Sequence, residues 1–277
     1  LIMVIKTRTK ILIPAAILFC ILYMIFAFRQ MGTELAFTPE WTEDISHVKS
    51  LQEDDELIPF RLGQTLGYFT PQGKIVTSLS FPSKASISDG YYATFNENNS
   101  SAKVFNKKNE IVSILNYSGF PYFDEDRIFI MLPGGSSFIQ CNENGDELWR
   151  YEYFAPLTSF ASSTGGTVAG FADGTITSFS NDGNIEQQFA PGGSNIPVIL
   201  GADISDDGSL IACICGQNKQ RFVLAKKDVD HSKIIFHEYF DKDQTKQLFV
   251  RFNKANDTVY FDAGNAVGIL DINSLKS

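Results

Sequence analysis

A turn signal that returns about every forty residues constrains this chain more than any other feature, because a fixed period of that length marks a repeat architecture. Short β-rich runs follow turn residues at Asp54, Gly90, Asp126, Gly166, Gly208 and Asp257, as in SDGYYATF, TGGTVAGF and DDGSLIAC. A second turn follows within most units, at Gly73, Asn109, Gly145 and Gly183. Two turns at fixed offsets imply repeated hairpins. A third marker recurs where the last strand of a unit is expected to end: Phe81-Pro82, Phe120-Pro121, Phe154-Ala155-Pro156 and Phe189-Ala190-Pro191. Proline has no amide to give to a ladder, so it stops the strand, and the Phe beside it is expected to fill the gap between units.

In one unit the expected strands are 160–162, 167–171, 175–180 and 185–189. Four short strands in about 38 residues make a propeller blade. About six such units fit into residues 45–277, the last without a clear final strand. The expected fold is therefore all-β, a β-propeller of four-stranded blades. Composition agrees: 13% of the 277 residues are aromatic and 24 are Phe, which suits pleated sheets packed on both sides. A β-sandwich fits the regular period poorly, and a β-helix has shorter rungs.

The runs NGDELWRYEY at 144–153 and GTVAGFADGTITSFSNDGN at 166–184 resemble pyrroloquinoline-quinone-type propeller repeats, and DISDDGSLIAC at 203–213 resembles a WD40 or TolB-type blade. The resemblance covers approximately residues 45–273 and describes blades, not a reaction. Among membrane-associated relatives, the propeller component of the outer-membrane assembly machinery shares this repeat style, which implies a scaffold role. Quinone-dependent dehydrogenases of the family use adjacent cysteines, a tryptophan under the cofactor and calcium. This chain has no adjacent cysteine pair, so no cofactor is expected.

Ahead of the repeats, Ile11 to Phe28 is an 18-residue run without a charge. At ~1.5 Å per residue it spans about 27 Å, close to the hydrocarbon thickness of a bilayer. Lys6, Arg8 and Lys10 precede it, with Arg29 alone directly after it and Glu34, Glu40, Glu43 and Asp44 further on. The positive-inside bias then leaves residues 1–10 in the cytoplasm, a transmembrane anchor over 11–28 in the lipid bilayer and a stalk over 29–44. The propeller is expected outside, with the bacterial periplasm as the compartment. A cleaved signal peptide is the alternative, although the run exceeds the usual ~7–15 residues and no small-x-small site follows. The net charge of −9 divides accordingly: residues 1–30 carry four basic and no acidic side chains, leaving −13 for the rest. An acidic body is not expected to bind nucleic acid.

No constellation of reactive residues stands out. Cys213 and Cys215 share one face of an expected strand and read as a small buried pair, since no further Cys or His supplies the ligands of a four-coordinate metal site. His47, His231 and His237 have no accompanying nucleophile motif and read as exposed. Asp124-Glu125-Asp126 and Asp206-Asp207 fall on turns, where Asp serves the backbone. Asn98, Asn99, Asn116 and Asn256 each begin an N-x-S/T triplet and read as turn residues.

The connectors YSGFPYF at 117–123, YEYFAPL at 151–157 and HEYFDKD at 237–243 gather on one face of a propeller. Aromatic residues are enriched in recognition surfaces, so Tyr117, Tyr122, Tyr151, Tyr153 and Tyr239 are the candidate partner-binding residues. Packing between blades is the competing role for them. The resulting expectation is a membrane-anchored, non-enzymatic scaffold for a protein partner. The alternatives are an enzyme with its site in the central channel (a lyase, hydrolase or degenerate quinoprotein) or a ligand-sensing ectodomain.

Overall fold

A computed structural model describes residues 14, 16–24, 38–50, 56–96, 100–124, 126–228, 231–264 and 266–276. The chain divides into two units, Leu1–Thr42 and Glu43–Ser277. In the first, residues 14 and 16–24 are helical. The remainder of the expected anchor (11–13, 15, 25–28), most of the stalk (29–37) and the turn at Asp54 lie outside the described residues. Among the described residues no helix is long and apolar enough to cross a membrane.

The second unit is all-β. Its first sheet holds β1 (Ile58–Leu62), β2 (Thr65–Phe69) and β3 (Ile75–Ser80). The next four sheets have four strands each: β4 (Lys84–Ile87) to β7 (Ile111–Leu115), β8 (Phe120–Asp124) to β11 (Glu147–Glu152), β12 (Leu157–Ser163) to β15 (Ile185–Phe189), and β16 (Ile196–Ile204) to β19 (Ser232–Tyr239). The sixth holds β20 (Val250–Phe252), β21 (Thr258–Asp262) and β22 (Val267–Asp271). Within each sheet, strands adjacent in sequence pair antiparallel. The last three strands of the expected unit are found within a residue, with β13 at Gly166–Phe171 and β14 at Ile176–Phe179, whereas β12 starts three residues earlier than expected, at Leu157. At the free edge of β3, Lys49 N–H donates to the Ile75 carbonyl at 2.7 Å, so residues ahead of the sheet contact its outer side. At the free edge of β22, Lys276 forms an isolated antiparallel bridge with Asp271.

The first strands β4, β8, β12, β16 and β20 pack on one another in that order, and they surround the axis. Buried apolar side chains then form layers between successive sheets. Alternation along β9 (Arg127–Met131) shows how: Ile128 and Ile130 face the layer shared with Ala93, Val104 and Leu115, whereas Phe129 and Met131 face the one shared with Phe160, Ala169 and Phe171. A strand with apolar neighbours on both sides reads as a continuous apolar run. That is why the chain needs so much Phe, Ile and Val.

The second turns of the repeat close the last hairpin of each sheet, and two of their glycines explain their recurrence. A Cβ on Gly183 would stand 2.5 Å from the Trp149 ring, and one on Gly145 would stand 2.8 Å from the Ile114 carbonyl. Both glycines have positive φ, 79° and 89°. In each case the outer strand of the preceding sheet lies directly against the turn, and Trp149 Nε1 donates to the Asn181 carbonyl there at 3.2 Å.

The Phe-Pro marker needs two corrections. Phe120-Pro121 opens β8 rather than closing β7, because Pro121 pairs with Ile130 at the sheet's free edge, where no amide is missed. Phe as gap-filler describes Phe81, which is buried, but Phe120 and Phe154 point to solvent.

Candidate functional site

The two ends of the axis differ in chemistry. At one end the connectors deliver the starts of the first strands. Phe120 and Tyr122 of β8, Leu157 and Phe160 of β12, Met131 of β9 and Gln247, just ahead of β20, line a common cavity of about 250 Å³. A separate cavity, about 500 Å³, lies between the connector after β19 and the residues ahead of β22; Tyr239, Phe240, Asp241, Gln244, Ala263 and Gly264 line it. Large apolar side chains stand exposed on these connectors: Phe154 at 81%, Phe249 at 59% and Phe120 at 48%.

The five candidate tyrosines fall into two groups. Tyr117 packs against the layer between the second and third sheets, and Tyr122, Tyr151 and Tyr153 pack against the layer between the third and fourth. Tyr122 meets Phe160 edge-on at 5.4 Å and donates from its hydroxyl to the Phe160 carbonyl at 3.2 Å; burial pushes its ionisation well above the usual tyrosine range. Tyr153 shares its hydroxyl with Asp173 Oδ2 and Thr175 Oγ1 at 3.1 and 3.2 Å, joining the third sheet to the fourth. Tyr239 is the exposed one, at 49%, and its ring lies over the Arg221 guanidinium at 5.7 Å. The neighbour of Tyr153, Phe154, lies against it with the rings tilted and 4.3 Å apart, and it carries the exposure that the tyrosine was expected to have.

At the other end the first strands finish on charges. Arg251 of β20 reaches Asp124, the last residue of β8, with Nη2–Oδ1 at 3.0 Å and Nη1–Oδ2 at 3.5 Å. Nη1 also lies 3.4 Å from Oδ1 of Asp203 in β16. Asp124 Oδ2 accepts the Ser162 N–H of β12 at 2.8 Å, and Asp203 Oδ2 accepts the Phe252 N–H of β20 at 2.7 Å. Four sheets therefore meet in one network. Both carboxylates are almost wholly buried, 5% and 3% exposed, while Arg251 keeps 40% of its side chain exposed. Burial raises the Asp203 pKa to about 7, even though Arg251 and the Phe252 amide pull it down. Burial works against the charge on Arg251, but the two carboxylates prevail and hold its pKa above the ordinary guanidinium value. A cavity of about 50 Å³ beside the network is lined by Ser162, Asp203, Asp206, Arg251, Lys254 and Asn256. The Ser162 hydroxyl is buried without a hydrogen-bond partner among the described residues.

Sequence reasoning did not find this network. It placed Asp124 in an acidic turn cluster and passed over Arg251; the available signal was a lone basic residue inside the apolar run LFVRF.

The other candidates lie elsewhere. Cys213 and Cys215 are buried in the layer between the fourth and fifth sheets, and Cys215 is paired across the ladder with Arg221. His47, His231 and His237 are exposed. No group of three or more His, Cys, Asp or Glu side chains able to hold a metal ion occurs among the described residues.

Comparison with known proteins agrees with this architecture. A family model described as β-propeller protein matches residues 3–277. An uncharacterized protein of Treponema pallidum (strain Nichols) is 30% identical over 286 residues, covering 99% of this chain and 76% of that protein. Among solved structures, the C-terminal WD40 domain of Sif2 is similar with a TM-score of 0.57 at 12% identity, covering 79% of this chain and 67% of that one. Hsv2 of Kluyveromyces lactis is similar with a TM-score of 0.55 at 10% identity, covering 80% and 77%. At such identities the structural likeness concerns the fold alone. The repeat period, the antiparallel sheets stacked by their first strands and the family match agree, and this chain belongs to a family of β-propeller proteins.

Proposed function

We propose that this protein is a membrane-anchored scaffold that carries a non-enzymatic β-propeller outside the cytoplasm and binds a protein partner on its connector face. The observation that carries the reading is the exposure of Phe154, Phe249, Phe120 and Tyr239 on the connectors that lead into, or out of, successive sheets. Exposed large apolar groups gathered on one face mark interaction surfaces, and loops on a rigid frame are where binding residues concentrate. Four of the five tyrosines support the frame, and Phe154 with Tyr239 supplies the contact. The anchor rests on the charge-free run from Ile11 to Phe28 and the basic residues ahead of it. The repeat style at 144–153 and 166–184, which resembles pyrroloquinoline-quinone-type blades, fits a propeller retained for its shape.

A photo-crosslinking residue at Phe154 or Tyr239 in membranes tests this. A specific protein adduct at these positions, absent from a control at Gln188 on an outer strand, is the expected result. No adduct, together with turnover of a small molecule by purified protein, overturns it. Protease added to spheroplasts is expected to digest the propeller; protection until the membrane is lysed overturns the placement.

A further inference from the structure

The Asp124–Arg251–Asp203 network has a charge imbalance that its surroundings do not correct. Two carboxylates, each nearly closed to water, face one part-exposed guanidinium, so the fully ionised cluster carries one excess negative charge. Removing a carboxylate from water costs several kcal/mol unless it is well paired. Arg251 spends its two-pronged contact on Asp124 and leaves Asp203 one long contact at 3.4 Å, with backbone amides of Phe252 and Ile204 as its other compensation. Asp203 is thus the under-compensated partner.

The groups that face Asp203 leave a proton as the simplest balance. β20 contributes Arg251, and β8 contributes Asp124 and the tightly held Tyr122 hydroxyl. β12 contributes the uncharged Ser162 and Ser163, and β17 (Leu210–Gln217) places Ala212 opposite in the ladder. The turns beside the small cavity bring Asp206 and Lys254, of opposite sign.

We propose that this cluster is a proton-binding clasp: it takes up one proton as the pH falls through neutrality, and in that form it ties the third, fourth, fifth and sixth blades together more firmly across the axis. The inference goes beyond the scaffold reading and does not depend on it. The raised Asp203 pKa, about 7, agrees with the charge count. Because the folded protein then holds this proton more tightly than the unfolded chain, whose Asp titrates near ~3.9, the contribution to stability is complete in acid and is lost as pH rises through about 7. Most acidic residues act in the opposite sense.

Hydrogen exchange of the full-length protein, corrected for the intrinsic rate, measures the effect on amides 199–204 and 248–252. Between about pH 6 and pH 8 their protection is expected to fall by roughly ten-fold. Asp203→Asn, whose amide oxygen still accepts the Phe252 N–H, is expected to abolish that pH dependence while peripheral amides of β15 behave as in the parent. An equal fall in both proteins, or none in the parent, overturns the proposal. Should the variant not fold, infrared titration of the parent decides: a buried carboxylic-acid carbonyl band is expected to vanish with a midpoint near 7, and a midpoint below about 5 refutes it.

Discussion

The two ends of the axis are made from the same strands, yet they solve different problems. At the connector end the first residues of β8 and β12 bring Phe120, Tyr122, Leu157 and Phe160 together, so adhesion there is apolar and tolerant of shape. At the far end Asp124 of β8, Asp203 of β16 and Arg251 of β20 meet through charged hydrogen bonds, which are directional. The connector end has apolar surface to spare and offers it outward. The charged end uses its groups internally. The proposed binding role and the registration of blades thereby fall at opposite ends of the first strands.

The largest expected effect tests the apolar end. Phe160→Ala removes edge-on contacts to Tyr122, Phe129 and Phe138 and is expected to cost about 4 kcal/mol in denaturant unfolding. A loss under about 1 kcal/mol would mean that this mouth is not structural. Arg251→Met comes next. It leaves two buried carboxylates without a cation, and about 2 kcal/mol is expected near pH 8, below the ~3–5 of a fully buried pair because Arg251 is 40% exposed. The loss is expected to shrink near pH 6, where Asp203 is protonated in larger part; a loss that grows on acidification would break the contrast between the ends. Tyr153→Phe deletes the hydroxyl shared with Asp173 and Thr175, and about 1 kcal/mol is expected from thermal melting. Phe154→Ser has the smallest expected effect on stability, within about 0.5 kcal/mol. It is nonetheless expected to reduce partner capture most, and unchanged capture would locate the contact elsewhere.

Local features were legible in the sequence because they are local. The strand pattern at 160–189, the last-hairpin glycines and the buried Cys213–Cys215 pair all follow from period, turn chemistry and residue type within a few positions. The clasp was not legible, since Arg251 and Asp124 lie 127 positions apart and no short period links them. The Tyr153–Phe154 exchange failed for another reason. The hydroxyl of Tyr153 finds partners inside the blade interface, and this makes the more polar ring the better buried one. In the first sheet the repeat breaks, and the Lys49 amide contacts the outer edge of β3, a long-range pairing that pattern alone does not reveal.

The alternation along β9 has a consequence for how such a chain tolerates change. Its even and odd residues belong to different apolar layers, so deleting one residue inside the strand sends every later side chain into the wrong layer and spoils two interfaces at once. Loss or gain of a single residue is therefore confined to turns and connectors. Whole blades, by contrast, add or remove complete layers without altering the parity of those that remain. A lineage of such proteins is expected to vary in loop length residue by residue, but in blade content only in steps.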